Sequence, residues 1–303
     1  MKQGNQAPVP APALAAGQKK NRIKPVVYLL VLPAMVFLGF FTFYPFLKAI
    51  YLSLFVTNPL GQAGAFVGLR NYQRVLTSPD FLRTLAATGK FAGIVGVGTF
   101  CLSMFFAYLS VDNSKGSKVY QTMFALPIAL SSVPISAIAL YILGRNGLLN
   151  EILGTEKAWL STESTALFAV AAVTIWAGVG SSYIFLLVGF RNVDESLVES
   201  SIIDGAGYFR RFIKIYVPIA SPQIFFVVFL NILHSMKAFA LIKLLTGNGP
   251  NDSTNVMIYA LYSNAFLRGR FETACVYAMV LCLLIFLITR LQFIFEKRAV
   301  HYQ

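Results

Sequence analysis

The stretch ESSIIDGAGYFRRFIKIYVPIASP, from Glu199 to Pro222, sets acids, bases and a Gly-Ala-Gly turn between two long apolar runs. Residues 195–204 suit a short helix, with Leu197, Val198, Ser201 and Ile202 on one face and Glu195, Glu199 and Ile203 on another. Gly205 then supplies the backbone freedom that a helix C-terminus commonly needs. Beyond it Phe209, Phe212, Ile213 and Tyr216 recur at i, i+3, i+4 and i+7, with Arg210, Arg211 and Lys214 on the other side. This is a second amphipathic helix, ending at Pro218 where the next apolar run begins. Physics alone leaves two uses open for such a pair. It can dock in a partner's groove, or it can lie on lipid headgroups with its bases bound to phosphates.

The surroundings place this stretch in a membrane protein. Of 303 residues, 57% are hydrophobic and 12% charged, against the roughly one quarter charged in a soluble domain. The apolar residues are gathered into runs, which favours one multi-span domain over a two-domain soluble enzyme. The formal net charge is +13, but the bases cluster at the ends of apolar runs and in the N-terminal tail. Placed there, they read as membrane orientation, not as a nucleic-acid surface. Cys101, Cys275 and Cys282 lie in or beside apolar runs without CxxC spacing, so they read as small apolar filler and offer no metal site.

A spanning helix needs about 20 mainly apolar residues, and six segments qualify: about 25–54, 85–110, 119–143, 165–190, 218–242 and 273–295. The expected architecture is all-α and polytopic, with both termini on one side. Residues 1–23 are rich in Ala, Pro, Gln and Lys and are expected to be a disordered tail, with 297–303 a second short tail. The first apolar run is too long for a signal peptide and no cleavage site follows it. Pro127 and Pro134 in the third run, and Pro218 and Pro222 at the start of the fifth, predict local kinks or breaks. With the N-terminus inside, the inner side holds fourteen Lys and Arg and the outer loops seven. That asymmetry predicts cytoplasmic termini and puts Glu199–Pro222 in the cytoplasm. No outer loop is long enough to form a ligand-binding domain, so any soluble receptor must be a separate chain.

The residues ESSIIDGAGYFRRFIKIYVP resemble the EAA motif of permease subunits of binding-protein-dependent ABC importers. Glu199, Gly205, Ile215 and Pro218 stand at the motif's spacing, and Asp204 and Ala206 extend the match, while Ser200 and Ser201 replace two alanines and Val217 a leucine. FVGLRNYQRVL, GLLNEIL, AWLS and LLTGNGPNDSTNVMIYALYSNAF are similar to the carbohydrate branch of that family, the MalF and glycerol-3-phosphate permease types being nearest in pattern. The resemblance runs over roughly residues 25–295. It implies a type I ABC importer transmembrane domain, over residues 24–296, in a bacterial or archaeal cytoplasmic membrane. It also implies a second permease subunit, two cytoplasmic ATPases and an extracytoplasmic binding protein as partners. The chain has no GxxxxGK[ST] phosphate loop, so it cannot bind ATP by that route; by the resemblance no cofactor is expected in this chain, and ATP and Mg fall to the partner ATPase. By the resemblance, Glu199, Ser200, Ser201, Asp204, Gly205, Ala206, Ile215 and Pro218 form the ATPase-coupling surface within cytoplasmic helices 195–216.

Cargo must then cross a cavity lined by half-buried polar and aromatic side chains. Asn231, His234, Ser235 and Lys237 interrupt the fifth apolar run, and an ionisable residue at membrane depth is a functional candidate by default. Against this, Lys237 can snorkel and His234 can be a satisfied packing residue. Tyr183, Tyr259 and Tyr262 are further candidates, although tyrosines near membrane edges are commonly belt residues. TGNGP, from Thr246 to Pro250, is expected to shape an outer gate or meet the binding protein, if it is more than a turn. An oligosaccharide is the favoured cargo. The same fold could instead import an amino acid, a peptide or a phosphorylated polyol; an anionic cargo would need inward-facing bases, and since Lys237 alone is well placed, a neutral sugar is favoured while glycerol phosphate stays open. Two other classes remain to be weighed. An intramembrane enzyme would need paired catalytic groups at membrane depth, yet no span carries Asp or Glu well inside it and His234 stands alone. A membrane scaffold would be favoured by purified complexes that lack an ATPase.

Overall fold

The computed structural model describes residues 25–111 and 115–299. Among them are six helical segments long and apolar enough to cross a membrane. The first is Pro25–Leu38, continuing through one π-helical turn, Gly39–Phe43, into Tyr44–Ser53. That turn ends where the Tyr44 N–H bonds to the Gly39 carbonyl, one residue before Pro45. Proline has no N–H and crowds the carbonyl four residues back, and a widened turn relieves both effects.

The remaining spans form a packed bundle of their own. The second, Pro79–Leu109, starts at Ser78, whose hydroxyl accepts from the Phe81 N–H, and has Pro79 at the first helical position. It packs most extensively against the fourth, Glu163–Arg191, along a seam of small residues. A Cβ on Gly98 would lie 2.5 Å from the Ile175 side chain and one on Gly178 3.5 Å from that of Thr99, while on another side of the fourth span one on Gly180 would lie 2.1 Å from the carbonyl of Phe124 in helix Lys115–Ala129. Small residues that let helix backbones approach are the main resource of membrane packing, because the bilayer supplies no hydrophobic drive between helices.

The prolines act as the sequence predicts, but they move the boundaries. Residues 119–143 are not one span. Lys115–Ala129, with Pro127 inside it, is separated from Ser132–Leu143 by a break at Leu130 and Ser131, and Ser131 has an extended backbone. The long apolar segment is therefore Ser132–Leu153, closed by the short helix Leu148–Leu153. The fifth span begins at Ser221 instead of residue 218, runs to Met236, breaks over Lys237–Phe239 and resumes as Ala240–Leu245. The sixth, Phe271–Glu296, lies in a helix that continues to Ala299, and the last part of the expected C-terminal tail, 300–303, lies outside the described residues. The expected tail 1–23 also lies outside them.

One end of the bundle carries the sole β element among the described residues, an antiparallel hairpin of Phe55–Thr57 and Ala63–Phe66. Its turn is organised by Asn58, whose Oδ1 accepts from the Leu60 and Gln62 N–H groups at 3.1 and 2.9 Å. Two buried asparagines clip this end together. Asn71, in FVGLRNYQRVL, donates to the Ser53 and Phe55 carbonyls at 3.0 and 2.9 Å. Asn150, in GLLNEIL, donates to the Arg145 and Lys157 carbonyls and accepts from the Trp159 indole at 2.8 Å, which joins this segment to AWLS. Each asparagine closes loop carbonyls that would otherwise be buried unpaired. Glu272, at the start of the sixth span, accepts from the Thr57 hydroxyl and pairs with Arg74 at 3.4 Å. The opposite end of the bundle carries residues 192–220.

Candidate functional site

Asp194 starts the first helix of the ESSIIDGAG region. Its carboxylate accepts from the Ser196 N–H at 3.0 Å, a bond that holds its pKa below the ordinary carboxyl value. The helix is Glu195–Ile203. It closes with the Gly205 N–H on the Ile202 carbonyl at 3.0 Å and the Ala206 N–H on the Ser201 carbonyl at 2.9 Å. This is a Schellman closure, and it requires the left-handed φ of +76° found at Gly205. No atom lies within 4 Å of where a Gly205 Cβ would be, so the requirement is conformational and not steric.

The second helix runs Tyr208–Arg211, passes through a π-helical turn at Phe212–Tyr216 and continues as Val217–Ile219. It therefore carries through Pro218 and does not end there. The π turn closes one residue before Pro218, as the turn in the first span closes one residue before Pro45. Phe212 and Tyr216 contact the Tyr108 ring at 4.7 and 5.2 Å and the Phe190 ring at 6.0 Å each. The Tyr108 hydroxyl also donates to the Tyr208 carbonyl at 2.8 Å. Aromatic contacts of this geometry add about 0.5–1.5 kcal/mol each beyond area burial, so the pair is held firmly to the second and fourth spans.

The four-residue apolar face expected on this helix divides in two. Phe212 and Tyr216 turn inward, while Phe209 is 75% exposed and Ile213 is exposed beside it. The helix meets the bundle along a stripe of period four, narrower than its apolar face. Together with Ile203, 86% exposed, this leaves apolar surface next to the exposed Glu199. Ser200 is exposed, with its hydroxyl on the Leu197 carbonyl at 3.1 Å, and Pro218 is half-buried. Ser201, Asp204, Ala206 and Ile215 line one cleft of about 360 Å³ together with Arg210, Arg211 and Lys214. Residues fourteen apart in sequence thus share one surface between the two helices.

The second constellation sits where the fifth span breaks. Asn231, His234, Ser235 and Lys237 all line a cavity of about 270 Å³, with Thr99 of the second span, Thr174 of the fourth and Ser132 at the restart of the third segment. Asn231 is buried and its Oδ1 accepts from the Ser182 hydroxyl at 2.9 Å, while its Nδ2 has no protein partner. Thr99 Oγ1 is likewise buried without one. Ser235 bonds back to the Ile232 carbonyl at 3.0 Å, and His234 and Lys237 are exposed to the cavity side. Phe239, also lining it, lies 6.3 Å from the Tyr259 ring and 4.9 Å from the Tyr262 ring. Tyr183 is elsewhere, fully buried beside Phe124 in the core near residues 192–220. TGNGP lines a separate hollow of about 310 Å³ with Leu160 and Ser161. Thr99, Ser132, Thr174 and Phe239 were not singled out by the sequence, because each is an ordinary residue within its own apolar run.

Residues 99–301 match the model of the binding-protein-dependent transport system inner membrane component family. The chain belongs to this family. Over 282 residues the permease is 30% identical to the sn-glycerol-3-phosphate transport system permease protein UgpA of Yersinia enterocolitica, a match covering 91% of this chain and 95% of that one. UgpA of Shigella flexneri matches at 30% identity over 282 residues, again with 91% and 95% covered. Among solved structures the permease is similar in fold to a chain of a bacterial ABC transporter that imports the acidic polysaccharide alginate. The TM-score is 0.80, at 20% identity, over 91% of this chain and 96% of that one. The permease is thus a multi-pass membrane transport subunit with a type I ABC importer transmembrane fold.

Proposed function

We propose that this permease forms half of the translocation pathway of an ATP-driven sugar importer in a bacterial cytoplasmic membrane, with a second permease chain forming the other half. Two cytoplasmic ATPases bind and hydrolyse Mg-ATP and act on it through residues 195–216, and an extracytoplasmic binding protein delivers cargo to the hairpin end. The observation that carries this is the helix pair closed at Gly205 and held to the second and fourth spans by Tyr108 and Phe190. A rigid exposed element fixed to the two most tightly packed spans is what transmission of a partner's movement requires. Glu199, Ser200, Ser201, Asp204, Gly205, Ala206, Ile215 and Pro218 form the docking surface, with Glu199 pairing with a base of the ATPase. Truncating one member of such an interfacial pair costs about 2–5 kcal/mol.

Asn231, His234, Ser235 and Lys237 form the cargo path with Thr99 and Thr174, their hydroxyls and amide taking up hydrogen bonds of a polyol. A phosphorylated polyol is the second reading, favoured by Lys237 and His234 on the same cavity wall and by the naming of the UgpA relatives. To test the main reading, the chain is co-purified with the ATPase and second permease encoded beside it, and the binding protein is added. ATP hydrolysis should rise with loaded binding protein and fall at least tenfold in Glu199→Lys. A purified complex without ATPase, or hydrolysis indifferent to Glu199, refutes it.

A further inference from the structure

Beyond the polar cavity, a row of rings leads toward the hairpin end. Phe239, on the cavity wall, contacts Tyr262 at 4.9 Å, Tyr262 contacts Phe266 at 5.4 Å, and Phe266 contacts Phe271 at 6.1 Å. Phe266 is 68% exposed, so the row opens outward. Lys243 reaches over its inner part. Its Nζ lies 4.3 Å from the centroid of Tyr262 and 5.6 Å from that of Phe239, and donates to the Tyr262 hydroxyl at 2.9 Å.

A lysine that only anchored a helix end would extend its ammonium away from the rings into the headgroup layer. This one is turned back onto them. An ammonium has three donors, and one is used by Tyr262. Among the described residues no carboxylate pairs with Lys243 or with Lys237, the cation on the cavity wall beside Phe239. Two lysines without acidic partners thus flank the inner part of the ring row, the Lys243 ammonium lying over Tyr262 and Phe239.

We propose that Lys243 and Tyr262 form an entry subsite for an acidic sugar or polyol, its carboxylate or phosphate oxygens taken by the two remaining Lys243 donors. Lys237 then receives the same anionic group one step further in. The subsite rests on the permease reading and narrows its cargo from sugars in general to those that carry negative charge. It also turns the expectation from Lys237 alone, a neutral sugar, the other way.

The test uses the full transporter with its binding protein in proteoliposomes and three radiolabelled probes: sn-glycerol 3-phosphate, a glucuronate-containing disaccharide and neutral maltose. ATP-dependent uptake should favour an acidic probe. Lys243→Gln should raise the KM for that probe roughly tenfold or more with kcat little changed, and Lys243→Arg should restore most of the affinity. The wild-type KM should also rise with ionic strength, and that dependence should weaken in Lys243→Gln. Uptake of maltose alone, or an acidic-probe KM unmoved by Lys243→Gln, overturns the subsite and leaves the permease reading standing. Absence of ATP-dependent uptake of every probe overturns the permease reading as well.

Discussion

Gly205 is where backbone geometry and proposed function meet most directly. Its φ of +76° and the two bonds it organises close the helix Glu195–Ile203. Placing an L-residue with a Cβ in this region costs about 1–2 kcal/mol, and the two closing bonds are worth about 0.5–1.5 kcal/mol each net. In Gly205→Ala the strain therefore nearly balances what holds the turn. No neighbour lies within 4 Å of the new Cβ, so no clash adds to this. The turn should fray, lowering the ratio of closed to open turn by a factor of about 5–30 while the spans stay intact. Gly205→Asn, a residue that tolerates the left-handed region, should remain near wild type. Gly205→Pro cannot reach φ +76° and also loses the N–H donated to the Ile202 carbonyl. Substrate-stimulated uptake should vanish in it, while the protein still reaches the membrane in normal amount. Uptake in energised membrane vesicles, normalised to immunoblotted permease, gives the ranking Gly, Asn, Ala, Pro. Wild-type uptake in the proline variant, or equal loss in Asn and Ala, would show that this geometry does not matter to coupling.

Three further outcomes follow from other parts of the bundle. Glu272→Ala leaves the Thr57 hydroxyl without its carboxylate partner and should destabilise the hairpin end by about 1–3 kcal/mol; Arg74→Ala, which removes a mostly exposed partner, should cost under about 1 kcal/mol, and thermal unfolding in detergent separates the two. Gly180→Ala drives a Cβ to 2.1 Å from the Phe124 carbonyl, so it should lower thermal stability sharply, whereas Gly93→Ala, with nothing within 4 Å, should be neutral or slightly stabilising. The Asp194 cap stabilises the folded form through its ionised carboxyl, so its contribution is complete above the ordinary value of 3.8 and is lost as pH falls through the lowered folded-state pKa; Asp194→Asn should remove this acid dependence from hydrogen exchange of residues 196–203.

Much of this was legible because membrane burial writes itself as long apolar runs. The fourth span lies within two residues of the expected bounds and the second ends within one, though it begins six residues earlier, at Pro79; neither contains a proline beyond its first position. The third and fifth departed where proline or a polar pair let the helix break, and periodicity does not say on which side of a proline a helix restarts. Gly205 could be assigned to a helix stop because one residue type dominates that conformation. Asn231, His234, Ser235 and Lys237 could be grouped because they crowd into one turn or two of a single helix. Thr99, Ser132 and Thr174 could not, since their association is a product of three helices meeting. The division of Phe209 from Phe212 depends on which way the second helix of the pair is rolled, and that is set by the Tyr108 and Phe190 rings, far away in sequence.

The segment those rings hold contains the π turn at Phe212–Tyr216. A π turn carries one residue more than the α-helical turn it replaces, and one residue corresponds to about 100° of rotation and 1.5 Å of rise. The extra residue ahead of Pro218 therefore works like the offset on a crankshaft. In the proposed coupling it sets the angle at which a push on Glu199 would reach the fifth span. Shortening the turn by one residue would rotate Tyr208–Arg211 by about 100° relative to the fifth span, and on the proposed coupling the push would point in another direction.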